Sequence, residues 1–182
     1  CGAQACAELS ALQEQTDLII IATADNAIAE IAPAIGSFGG IVVHTAGSVP
    51  MDTLAEYFKN YGVLYPLQTF SKGVPVDLGS VPFFTEASSE AVLHALNQVA
   101  RSLSSKVHTI DSRQRLMLHT AAVFASNYTN LMYIISNDIL AGSNLPADAL
   151  QPLILETARK AASGNPKAMQ TKQYFQVEKP GI

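Results

Sequence analysis

His119, Asn127 and Asn130 are the residues of this sequence whose types and spacing most invite chemistry. An imidazole titrates near neutrality and can move a proton, and two carboxamides can hold a ligand by donating and accepting hydrogen bonds. All three fall in one stretch, Ser112 to Leu140, that contains neither Gly nor Pro. On a helix that turns about 100° per residue, Asn130 comes within roughly 20° of His119, and Asn127 within roughly 80°. The three would share a broad stripe with Val123 and Ile134, and such a stripe faces protein or a cleft. Two readings stay open: hydrogen-bonded polar groups of a core or a subunit interface, or one wall of a binding site.

Two further groups follow apolar runs. His44-Thr45-Ala46-Gly47-Ser48 comes directly after Ile-Val-Val, so an acid/base-capable ring, a hydroxyl and a glycine would stand at the end of a strand. The plainer alternative is a turn with a satisfied histidine. Ala22-Thr23-Ala24-Asp25-Asn26 comes directly after Asp17-Leu-Ile-Ile-Ile. Small residues there would let a phosphate or a ring approach the backbone, while a simple turn capped by Asp25 or Asn26 is the alternative. Gln68, Thr69 and Ser71 follow a third apolar run and could line the same crevice.

The elements that must position these groups alternate. Asp17–Thr23, Ile41–His44, Gly62–Leu67, Phe83–Glu86 and Lys106–Ile110 read as strands. The first is a continuous β-branched run, as suits a strand buried on both faces of a parallel sheet. Helices are expected at 27–35, with Pro33 shortening or bending it, at 51–61, and at 88–104 with Ser88 as cap. From Ser112 onward only helices follow: a long one capped by Ser112 and stopped at Gly142, then one from Pro146 or Ala147 to Ser163, ended by Gly164-Asn165-Pro166. Cys1–Gln15 has partly helical character, and Lys167–Ile182 reads as a tail or extended arm. The pattern predicts an α/β fold: a partial Rossmann-like parallel sheet over residues 1–111, then an all-α domain over 112–182 that opens with the long helix. In open α/β sheets ligands bind beyond the carboxyl ends of the strands.

Composition narrows the class. Of 182 residues, 48% are hydrophobic and 14% charged, which describes a globular chain with a real core. The net charge is −4, and no basic run interleaved with aromatics is present, so nucleic acid is not an expected partner. No apolar run reaches spanning length, so no membrane segment is expected. Cys1 and Cys6 are the only cysteines. They rule out a disulfide framework and suit a reducing compartment, which predicts a cytoplasmic protein. There is no HxxxH or Cys/His cluster of ligand spacing, so no metal is expected. No GxGxxG is present, and Ala46-Gly47-Ser48 is not a GxSxG elbow, which leaves a hydrolase triad little support. His94 and His108, on a helix and a strand, read as surface or structural residues.

The strings HTAGSVPMDTL, YGVLYPLQTFSKG, VPFFTEASSE and LSSKVHTIDSRQRLMLHTAAVFASNYTN resemble a family of uncharacterised Rossmann-like oxidoreductases whose C-terminal helical part is a domain of unknown function. The resemblance runs from about Asp17 to Met169. That family in turn resembles pyrroline-5-carboxylate reductase and 6-phosphogluconate dehydrogenase. Those proteins join an NAD(P)-binding domain to a helical domain whose first long helix often builds a dimer and supplies active-site polar residues. The resemblance implies NADP or NAD as cofactor, held near Ala22, Thr23, Ala24, Asp25, Thr45 and Gly47. It implies a strand–helix unit with GxGxxG upstream of Cys1, and a homodimer through the C-terminal helices. The long helix of related dehydrogenases often carries a Lys, which Ser112–Leu140 lacks, and the tail TKQYFQVEKPGI departs from the family pattern.

These readings predict an oxidoreductase that passes a hydride between a nicotinamide and an unidentified small molecule. His44 or His119 would move the proton, and Ser48, Asn127 and Asn130 would orient the substrate. The alternatives are a nucleotide-binding protein without catalysis and a structural dimer module.

Overall fold

A computed structural model of the chain describes residues 16–164 and 166. The expected helical character of Cys1–Gln15, with both cysteines, and the expected tail Lys167–Ile182 lie outside the described residues. The chain divides between Thr129 and Asn130 into two compact units.

The first unit holds a five-stranded sheet in the order β1-β2-β3-β4-β5: β1 (Leu18–Ile21), β2 (Ile41–His44), β3 (Tyr61–Pro66), β4 (Phe83–Ala87) and β5 (Val107–Thr109). Parallel pairing joins β1 to β2, with Ile21 opposite His44, and β2 to β3, with His44 opposite Val63. All three strands therefore end at one edge of the sheet. The β3–β4 pairing is antiparallel, with Tyr65 opposite Phe84, and β4–β5 is parallel again. The fold is α/β, as the alternating pattern predicts, with one antiparallel pairing in a mainly parallel sheet.

Side chains alternate across a strand, and β2 shows the result. Val42 packs with Ile19, Ile21, Ile28, Ala32 and Leu54 on one face, while Val43 packs with Leu64, Phe83, Val92 and Leu96 on the other. Both faces are covered, which is why the run Ile-Val-Val carries no polar alternation. Helix α1 (Ile28–Ile35) supplies part of the first face. Pro33 sits in its last turn, and Gly36, at φ 73°, ends it. Helix α2 (Glu90–Leu103) supplies the second face through Val92, Leu96 and Ala100.

Three local expectations are corrected. The cap of α2 is Ser89, whose hydroxyl accepts the Val92 N–H at 3.3 Å. Ser88 is engaged elsewhere, accepting the Tyr61 N–H at 3.1 Å. The stretch 51–61 forms only a 3-10 turn, Met51–Leu54. Leu54 and Phe58 do bury, but the sheet claims its end, because Asn60 accepts the Val42 N–H and Tyr61 accepts the Ser88 N–H. The cap of the long helix is Asp111, not Ser112. The Asp111 carboxylate accepts the Gln114 N–H at 2.7 Å, and the Gln114 side chain accepts the Asp111 N–H at 3.0 Å, a reciprocal capping box.

Nor is the long helix uniform. Helix α3 (Ser112–Val123) passes into a π-helical turn, Phe124–Tyr128, and then into α4 (Thr129–Gly142). The Thr129 hydroxyl donates to the Phe124 carbonyl at 3.1 Å. A π turn holds more residues than an α turn, so angles counted at 100° per residue from His119 do not carry past Phe124.

In the second unit, α4 ends at Gly142 as expected, and Asn144 follows at φ 54°. A 3-10 turn (Ala147–Leu150) leads into α5 (Gln151–Ser163). Apolar side chains of this unit stand exposed, among them Ile139, Leu153 and Leu155. Among the described residues, no helix is long and apolar enough to cross a membrane.

Candidate active site

The edge where β1, β2 and β3 end carries two cavities. The first, about 360 Å³, is lined by Ala22, Thr23 and Asp25 after β1, by Thr45, Ala46 and Gly47 after β2, and by Pro66 and Phe70. The second, about 370 Å³, is lined by Leu67 and Thr69 after β3, by Ala122 and Val123 of α3, and by Ala125, Ser126 and Asn127 of the π turn. Tyr65, Gln68 and His119 line both. Tyr65 Oη and His119 Nδ1 lie 3.1 Å apart, with the two rings edge to face.

His119 is held there from two sides. A Cβ on Gly47 would fall 2.6 Å from His119 Cγ and 2.9 Å from its Cβ, so the close approach of the ring requires glycine. One helical turn before His119, and on the same face of α3, Arg115 is fully buried and ion-paired to Glu86 of β4. Its guanidinium also donates to the Val49 carbonyl at 2.5 Å and to the Ser112 hydroxyl at 3.3 Å. Ser112 in turn donates to Glu86 at 2.8 Å and accepts the Met51 N–H at 3.2 Å. This cluster ties α3 to both β4 and the segment after β2, and thereby fixes where His119 falls.

Burial, above all, raises the pKa of the Tyr65 phenol, so it carries its proton at neutral pH. The Arg115 guanidinium lowers it and the Asp25 carboxylate raises it further. His44 behaves differently from the expected acid/base. It is fully buried, and its Nδ1 accepts the Ala46 N–H at 3.2 Å. Burial, helped by Arg115, pushes its pKa down to about 4, against the opposing pull of the Pro50 carbonyl and Asp25. At neutral pH it is an uncharged ring beneath the loop.

Of the expected site residues, Ala22, Thr23, Asp25, Thr45, Gly47 and His119 come together around the first cavity, and His119 and Asn127 around the second. Gln68 and Thr69 also join the crevice, and Ser71 does not line it. Ser48 is exposed and donates its hydroxyl to Asp25, which joins the loops after β1 and β2. Ala24 is exposed, and its carbonyl accepts the Ala27 N–H at the turn. Asn130 is exposed in the second unit. His94 is exposed, and His108 stacks on Phe84 at 5.4 Å. Sequence reasoning passed over Tyr65 and Arg115. Among the described residues, no group of three or more His, Cys, Asp or Glu could hold a metal ion.

Residues 81–172 match the domain of unknown function DUF2520, and the chain belongs to that family. Among solved structures, it is similar to a proposed NADP oxidoreductase from Bacteroides fragilis, with 43% identity over 91% of this chain and 65% of that one, at a TM-score of 0.83. A Thermotoga maritima protein shares the fold at 20% identity, over 88% of this chain and 64% of that one, with a TM-score of 0.71. So does a reductive aminase from Aspergillus terreus, solved with NADPH and ethyl-5-oxohexanoate, at 16% identity, over 86% of this chain and 57% of that one, with a TM-score of 0.57. The chain thus spans just under two thirds of the length of the first two. No curated protein matches it.

Proposed function

We propose that this chain is the catalytic part of an NADP- or NAD-dependent oxidoreductase acting on a small molecule. The observation that carries the reading is the pair of cavities meeting at Tyr65 and His119. Similarity to the Bacteroides fragilis protein and the fold shared with an NADPH-bound enzyme support it.

The first cavity fits the nicotinamide end of such a cofactor. Ala22 and Ala46 offer only small side chains, and Asp25 offers an acceptor suited to ribose hydroxyls or a carboxamide N–H. A reduced nicotinamide held there by Ala22, Thr23, Asp25 and Thr45 would supply a hydride, with its two electrons, for a carbonyl carbon. Tyr65 Oη donates its proton to the carbonyl oxygen, which becomes the hydroxyl of the alcohol product. His119, whose Nδ1 lies 3.1 Å from that oxygen of Tyr65, would hand a proton back to the phenolate from Nδ1 while its Nε2 takes one up from solvent. Asn127 and Gln68 orient the substrate. His119, rather than the neutral, buried His44, is the histidine of this reaction.

Kinship with pyrroline-5-carboxylate reductase and 6-phosphogluconate dehydrogenase accords with a helical segment that lines the site. A second copy, docked through the C-terminal helices, would cover exposed Ile139, Leu153 and Leu155. Ile139→Glu is expected to give a monomer in sedimentation; an unchanged dimer would reject this contact. We place the protein in the cytoplasm.

The test is a thermal-shift titration of the full-length protein with NADPH and NADH, followed by a screen for NADPH oxidation with small ketones, aldehydes and imines. A saturable rise in melting temperature with either cofactor and a turnover that Tyr65→Phe lowers about 100-fold or more are expected. No shift with either cofactor rejects the reading.

A further inference from the structure

The second cavity has a chemical character of its own. Among the described residues lining it, none is a Lys, Arg, Asp or Glu. Leu67, Ala122, Val123 and Ala125 give it an apolar wall, and Gln68, Thr69, Ser126 and Asn127 give it neutral hydrogen-bonding groups. The buried cation beside the site, Arg115, is already engaged by Glu86, the Val49 carbonyl and Ser112. His119 Nδ1 is engaged by Tyr65. The adjoining cavity, which shares Tyr65, Gln68 and His119, has one carboxylate in its lining, Asp25.

We infer that the substrate is an uncharged carbonyl compound with an apolar arm and a second neutral acceptor, and that carboxylates and phosphates are rejected. The inference rests on the oxidoreductase reading above and names the substrate class of that same site. An ionised carboxylate packed against this wall loses part of its hydration and finds no partner cation among the lining residues, whereas a neutral ester or ketone oxygen is satisfied by a single N–H or O–H donor. The reacting carbonyl lies at Tyr65 Oη. Gln68 Oε1 accepts the Thr69 N–H at 2.8 Å, and its amide N–H₂ is then the group available as a donor for the second acceptor. The arm packs on Leu67, Ala122 and Val123. Reduction would add a hydride, taken from the reduced nicotinamide, to the carbonyl carbon and the Tyr65 proton to its oxygen.

Matched probes test the charge alone. Full-length protein is saturated with NADP⁺, which cannot reduce a ketone, and titrated by thermal shift with the ethyl and propyl esters of 4-oxopentanoate and with 4-oxopentanoate itself. The esters are expected to stabilise the complex at concentrations at least tenfold below the acid. Thr69→Arg, which places a cation on an exposed part of the rim, should lower the concentration of acid required at least tenfold. Equal or stronger binding of the acid to the unaltered protein overturns the inference, and so does failure of both esters to bind. A shift from NADP⁺ alone in either case leaves the oxidoreductase reading standing. Absence of a shift with both NADP⁺ and NAD⁺ is the distinct failure of the reading itself, and where only NAD⁺ binds the same titrations are run with NAD⁺.

Discussion

Tyr65, on a strand, and His119, on a helix 54 residues later, meet through a 3.1 Å contact between Oη and Nδ1 where two cavities share a wall. A phenol is protonated at neutral pH, and burial raises the Tyr65 pKa further. Tyr65→Phe removes one oxygen and leaves the ring packing in place. Turnover should fall about 100-fold or more, while stability changes by about 1 kcal/mol. Steady-state NADPH oxidation beside a denaturant melt separates the two. A variant with unaltered turnover would remove Tyr65 from the chemistry.

Gly47→Ala drives a methyl group against the His119 ring. The loop after β2 and α3 are both held, by the Arg115 cluster, so neither can yield freely. Overpacking of this kind costs about 1–3 kcal/mol. The His119 ring signals in a nitrogen-detected NMR spectrum should shift in the same variant, and activity should drop. Unshifted signals would show that the ring has room to move.

Arg115→Ala leaves Glu86 partly buried without its cation. Breaking a buried pair from one side costs about 3–5 kcal/mol, to be read from urea denaturation. Arg115→Met combined with Glu86→Leu should recover most of that loss, because both charges go together. If the double variant is no better than the single one, the hydrogen bonds to Val49 and Ser112 matter more than the ion pair.

His44 makes stability depend on pH. Its pKa falls from 6.5 in the unfolded chain to about 4 in the fold. Between those values the unfolded chain binds the extra proton, so stability is complete above pH 6.5 and declines as pH falls toward 4. The loss attributable to this ring is about 3 kcal/mol. His44→Asn keeps an acceptor for the Ala46 N–H and should flatten that acid limb in melts taken from pH 7 to pH 4. An acid limb of unchanged slope would assign it to other groups.

Strands and loops were legible because their signals are local. The β-branched runs at 18–21 and 41–44 needed no partner to be read, and small residues after them marked the sheet edge. His119 and Asn127 stood out on a helix without Gly or Pro. Tyr65 did not, because a tyrosine in a strand string looks like core until α3 docks beside it. Arg115 was invisible for a related reason: a charged residue in a first helical turn reads as solvated, and its partner Glu86 lies 29 residues away. Ser112 and Ser88 read as caps in the sequence because a serine offers its hydroxyl equally to its own helix or to a neighbour, and tertiary contacts decide between them. The π turn carries no marker in residue type, since its hydrogen-bond shift arises from how the helix meets its surroundings.

A wall one side chain thick has a thermodynamic consequence. Tyr65, Gln68 and His119 each present atoms to both cavities, so an occupant that draws any of them toward one side withdraws it from the other. Affinities on the two sides are then linked, and linkage is reciprocal: the factor by which the first molecule alters binding of the second equals the factor by which the second alters the first. The coupling between the two occupants becomes a property of this partition, the same whichever arrives first, written into three side chains that belong to neither chamber alone.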